Sequence, residues 1–149
     1  RNALRLGHKL GVFASSDHMT SHITFGGTYV DKYDRESIFD AIDARRTVAA
    51  TDRITMEFTC NGYLLGEIFE TSEKPTMKVS VHGTAPLSAV TIVRNEADIR
   101  RFTPKDTADF DATFTDQEPV KGENRYYVRV EQKDGNMGWT SPVWVTYKP

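Results

Sequence analysis

Asp17, His18 and His22 stand close together, among the hydroxyls of Ser15, Ser16, Thr20 and Ser21. Carboxylate and imidazole are the ligand types that Zn²⁺, Mn²⁺ and Fe prefer. Neighbouring hydroxyls can orient such ligands by hydrogen bonding. The cluster follows Leu10-Gly11-Val12-Phe13-Ala14, a short apolar run of the kind a buried parallel strand uses. The C-terminal end of such a strand is where α/β enzymes place their chemistry. Asp17, His18 and His22 are therefore the candidate metal ligands. The competing reading makes Asp17 a turn cap and both histidines partly exposed loop residues.

Other residues carry weaker chemical signals. His8 precedes the apolar run and reads as structural, and His82 falls on the solvated face of a strand. Trp139, Trp144, Tyr126, Tyr127 and Tyr147 can make an aromatic platform for sugar or peptide, although alternating aromatics more often serve packing. Asp106, Asp109, Asp111, Asp116 and Glu118 lack the spacing of a calcium loop and read as a solvated acidic face. Arg94, Arg100 and Arg101 read as paired surface charges rather than an anion site.

The elements that would hold these residues change character near residue 53. Before it, Asp34 is a good N-cap for a helix in which Ile38, Phe39 and Ile42 form an apolar stripe. Tyr33 and Ile38 occupy the positions of a hydrophobic staple, and Arg45 and Arg46 close the helix where cations suit its dipole. Thr28-Tyr29-Val30 reads as a short strand entered through Gly26-Gly27. After it, short alternating segments recur with turn signals between them: Met56, Phe58 and Cys60, then Met77, Val79 and Val81, then Tyr126, Val128 and Val130. Asn61-Gly62 marks a hairpin. About seven or eight such strands suggest a two-sheet sandwich of immunoglobulin or fibronectin type.

The segment from Gly7 to His18, Gly-His-Lys-Leu-Gly-Val-Phe-Ala-Ser-Ser-Asp-His, resembles the closing metal motif of the PHP superfamily, the polymerase and histidinol phosphatase type of metallohydrolase. The helix ending Asp43-Ala44-Arg45-Arg46-Thr47 is similar to the one that follows that motif in an uncharacterised bacterial branch. So are Gly83-Thr84-Ala85-Pro86, the stretch from Tyr126 to Glu131, and the stretch from Trp139 to Val145. In that family the last motif separates Asp and His by one residue, whereas here they are adjacent, with Met19 where the second ligand would stand.

The resemblance implies an α+β chain. Residues 1–53 would be the C-terminal end of a PHP-like α/β barrel, and residues 54–149 an immunoglobulin-like antiparallel β-sandwich. It implies a metal-dependent phosphoesterase whose larger parent holds divalent Zn, Mn or Fe, with Asp17 and His18 as part of the site; His22 comes from the bottom-up reading alone. No His-x-His motif is present, so the chain by itself would be catalytically incomplete. The sequence opens Arg1-Asn2-Ala3, as if inside a helix, so the natural N-terminus is expected to lie upstream.

Bulk properties narrow the partners. A net charge of −2 argues against general nucleic-acid binding. No apolar run approaches the roughly 18 residues of a membrane helix. The single Cys60 excludes an internal disulfide but leaves the compartment open. Expected partners are the remainder of the parent chain, a small phosphoester, and self-association through a cut barrel edge. The alternative function is a β-sandwich module that binds glycan or protein, or that braces the parent.

Overall fold

The computed structural model describes residues 2–16 and 23–149. Two sheets face each other. The larger contains β1 (Phe25–Thr28), β2 (Thr47–Ala50), β5 (Ile68–Thr71), β7 (Leu87–Arg94), β8 (Ala97–Phe102), β10 (Gly122–Gln132), β11 (Met137–Thr140) and β12 (Val143–Tyr147). The smaller is ordered β4 (Tyr63–Leu64), β3 (Thr55–Cys60), β6 (Thr76–His82), β9 (Asp109–Thr115). β10 is the spine of the larger sheet. One edge pairs along β7, and the other is shared by β11 and β12.

The strands form where alternation dictates. Met56, Phe58 and Cys60 point inward and are fully buried, while Glu57 between them is exposed. Met77, Val79 and Val81 of β6 meet them from the neighbouring strand. Tyr126, Val128 and Val130 of β10 face them from the other sheet. Each such side chain contributes about 1.5–3 kcal/mol on burial. Asn61 and Gly62 adopt φ of 48° and 85°, the left-handed pair that a tight hairpin needs, and join β3 to β4.

The expected barrel end is corrected by the fold. β1 and β2 pair antiparallel with each other, and β2 pairs with β11, so residues before 53 complete the larger sheet of the sandwich. Leu10 to Ala14 form no strand. They are part of an extended arm across the outer face of that sheet, with Leu10 51% and Phe13 61% exposed. A short apolar run does not distinguish a buried strand from such an arm. What fixes it is close packing at Gly11, where a Cβ would meet Ser141 Oγ and Thr47 Oγ1, each at 3.0 Å.

α1 (Asn2–Arg5) is a single turn. α2 (Arg35–Asp43) is capped as its sequence demands, Asp34 accepting from the Ser37 N–H at 2.8 Å. Its end is a Schellman turn: Arg46 N–H donates to Ala41 O at 2.8 Å and Arg45 N–H to Ile42 O at 3.0 Å. Arg45 takes the left-handed position, φ 60°. The apolar stripe is not buried, since Phe39 is 60% and Ile42 46% exposed, and Tyr33 is too exposed to act as a staple.

Candidate interaction face

The site grows from the outer face of the larger sheet. Arg125, Tyr127 and Arg129 alternate outward along β10, and Trp139 and Trp144 stand beside them on β11 and β12. The arm lies over this row. Ser141 Oγ accepts from the Val12 N–H at 2.9 Å and also bonds Thr47 Oγ1 at 2.9 Å. Arg125 donates to the Leu4 carbonyl at 2.7 Å, and Lys9 pairs with Glu123. Beneath the arm, Leu4, Val12, Tyr127, Arg129, Trp139, Thr140 and Pro142 line a cleft of about 210 Å³.

The charged groups around Arg129 are paired with one another. Arg129 reaches Asp98 at 2.9 Å and Glu131 at 3.2 Å, and Glu131 is held also by Arg101 at 3.2 Å. The Arg101 guanidinium, with Arg129 behind it, holds the Glu131 carboxyl below its usual range. Asp98 raises Arg129 further. These are charges already satisfied within the sheet, not free ligands for an anion.

The arm bonds the sheet through the Val12 N–H and the Leu4 carbonyl and shows apolar side chains outward. Leu6 is 75% exposed and Ile23, just before β1, 63%, in addition to Leu10 and Phe13. Phe13 lies over Gly26, where a Cβ would stand 2.6 Å from its ring. The apolar run around Leu10 and Phe13 is thus not a buried strand, because composition alone does not say on which side of a segment the sheet lies.

Asp17, His18 and His22 lie outside the described residues. Ser16 and Thr24 flank them, and Ser16 Oγ bonds the Thr24 N–H at 2.7 Å. Among the described residues no three His, Cys, Asp or Glu side chains come together to hold a metal ion. His8 is exposed. His82 pairs with Asp109 at 2.8 Å, which raises its pKa.

The aromatic set divides. Tyr126 lies in the core with its hydroxyl on Asp116, Trp144 is covered, and only Tyr127 and Trp139 line the cleft. The acidic residues also part company: Asp106 pairs with Lys133, and Asp116 is buried against Arg94 at 2.7 Å. Arg100 stacks on Phe102 at 4.8 Å.

No family model matches the chain. It is similar to an uncharacterised protein of Chlamydia pneumoniae, 35% identical over 133 residues, covering 77% of this chain and 21% of that protein. Uncharacterised proteins of Chlamydia trachomatis and Chlamydia muridarum are 29% and 28% identical, each covering 89% of this chain and 24% of the relative. The chain thus spans about a fifth to a quarter of the length of the curated relatives it matches. Among solved structures it is similar to the fibronectin(III)-like modules of Clostridium thermocellum CbhA. That match has a TM-score of 0.42 and 21% identity, and covers 62% of this chain and 98% of the module.

These findings overturn the PHP resemblance. The relatives are uncharacterised chlamydial proteins, and the segment that carried the likeness is in part an arm on a β-sandwich. The metallohydrolase assignment goes with it. What stands is a β-sandwich, and a fold by itself assigns no chemistry.

Proposed function

We propose that this chain is a non-catalytic β-sandwich module that braces a larger protein by packing its arm and helix against a neighbouring domain. One observation carries the reading: Leu6, Leu10, Phe13 and Ile23 are all more than half exposed along one stretch of chain. Phe39 and Ile42 of α2 are exposed as well, and the arm passes close to the end of that helix, where a Cβ on Gly11 would stand 3.1 Å from the Arg45 side chain. Isolated exposed apolar residues are ordinary, whereas a run of them marks an interaction surface. The length of the relatives supports a neighbour in the same polypeptide.

The test is a double substitution, Leu10→Asp with Phe13→Asp, made both in this chain and in the longer protein that contains it. Melting of the isolated chain should change by no more than a degree or two, as for exposed positions. Melting of the longer protein should fall by several degrees. Equal effects in both would refute the docking role.

A further inference from the structure

We infer that β1 is an open edge built to receive one more β-strand, uncharged and β-prone, supplied by the remainder of the longer protein. The inference rests on the bracing reading and names where and how the neighbour engages.

Among the described residues β1 ends the larger sheet and has one partner, β2. The Tyr29 N–H donates to Arg46 O at 2.9 Å, extending that ladder by one residue. Backbone groups alternate in direction along an antiparallel pair. Phe25 and Gly27 therefore address β2 as Tyr29 does, and the N–H and C=O of Gly26 and Thr28 point to the open side.

Every other edge among the described residues is blunted. β8 carries Asp98, Arg100 and Arg101; β9 carries Asp109 and Asp111; β5 carries Glu70, paired with Lys148; β4 is two residues long. Charge and brevity are the usual protections against edge pairing. β1, Phe-Gly-Gly-Thr, has no charge and no proline. The adjacent free part of β3 is closed from within: Tyr29 donates its hydroxyl to Met56 O, and Leu65 N–H reaches Phe58 O at 3.1 Å.

Behind β1 a groove of about 310 Å³ runs toward β3, with Gly27, Val48, Ala50, Ile54 and Met56 among its walls. A strand laid on Gly26 and Thr28 would turn alternate side chains into this groove. The others would meet Phe13, which sits over Gly26, so the edge continues the exposed apolar surface of the arm. Main-chain bonds then supply affinity and the groove supplies selection, as in β-strand addition. The relatives are long enough to provide the strand, since this chain covers only 21% to 24% of them.

The experiment is amide hydrogen exchange on this chain and on the longer protein. Gly26 and Thr28 amides should exchange freely in the isolated chain and roughly 100-fold more slowly in the longer protein. Thr28→Pro removes a donor that β2 does not use, so the isolated chain should keep its melting temperature while the added protection disappears. Thr28→Lys, which keeps the N–H but charges the edge, should weaken protection as well. Slower exchange at Leu10 and Phe13 with no change at Gly26 and Thr28 would overturn the added strand and leave the bracing face standing. No slowing at either place would overturn both.

Discussion

The Arg45 guanidinium lies 5.7 Å from the ring centroid of Trp144. Lys9 Nζ lies 5.9 Å from the same ring, so arm and helix end both anchor on one side chain of β12. Arg45 holds this place from a left-handed backbone, φ 60°, and also donates to Gly66 O at 3.2 Å. Arg45→Ala should cost about 1–2 kcal/mol through the lost cation–π and hydrogen-bond contacts. Arg45→Gly should recover about 1 kcal/mol of that, because glycine adopts the conformation without penalty. Urea unfolding of the two variants decides it. If Ala and Gly are equal, the backbone does not contribute.

Gly66 is the position least able to accept a side chain. Its φ is 91°, and a Cβ would stand 2.2 Å from Ala44 O and 2.7 Å from Arg45 backbone. Gly66→Ala should destabilise by about 3 kcal/mol or more, since the obstacle is backbone rather than a movable side chain. Gly135, also at φ 91° but with open space around it, is the control. Gly135→Ala should cost about 1 kcal/mol. Equal losses in thermal melts would show that the helix end yields to make room.

Asp116 ties the two sheets together, accepting from Tyr126 Oη at 2.9 Å and Arg94 at 2.7 Å while 5% exposed. Tyr126→Phe should cost about 1 kcal/mol, the worth of one hydrogen bond. Asp116→Ala should cost more, about 2–3 kcal/mol, because it removes the bonds to both Tyr126 and Arg94 and leaves the half-buried guanidinium with the Glu118 carbonyl alone. Denaturant titrations that found the two variants alike would mean that the Glu118 carbonyl and solvent satisfy Arg94 without the carboxylate.

The Tyr29 phenol is pushed up to about 12, first by burial and then by Glu57, against the opposing bond to Met56 O. Burial also raises Tyr126, with Asp116 adding to it. A raised phenol pKa means that the unfolded chain releases its proton first. Stability therefore falls as pH climbs from about 10, the unfolded value, toward the folded one. Ultraviolet titration of Tyr29→Phe should match the parent protein up to pH ~11 and diverge above. Divergence near pH ~10 would place Tyr29 in water.

His82 is raised by its hydrogen bond to Asp109, with Asp111 and Glu57 adding negative potential. Its contribution to stability is present below the unfolded value near 6.5 and is lost as pH rises through the folded value. NMR titration should place the His82 midpoint above that of a free histidine, and Asp109→Asn should bring it down. A midpoint unmoved by Asp109→Asn would assign the shift to the wrong neighbour.

Local chemistry was legible in the sequence. Alternation at Met56, Phe58 and Cys60 and at Tyr126, Val128 and Val130 determined strands and their buried faces, because side-chain direction on a strand repeats every two residues. Asn61-Gly62 determined a hairpin and Asp34 a helix cap, since each rests on the conformational freedom or hydrogen bonding of one or two residues. Only the tertiary structure decided where the first fifty residues go. The run from Leu10 to Ala14 suits a buried strand or an arm equally well. The choice was made by Ser141 and Thr47, far along the chain, whose hydroxyls receive the backbone at Gly11 and Val12. Tertiary contacts likewise gave Arg45 its place on Trp144 and put β1 at the end of the larger sheet among the described residues. Pairing between distant segments depends on which surfaces meet, and no local pattern of residue types encodes that.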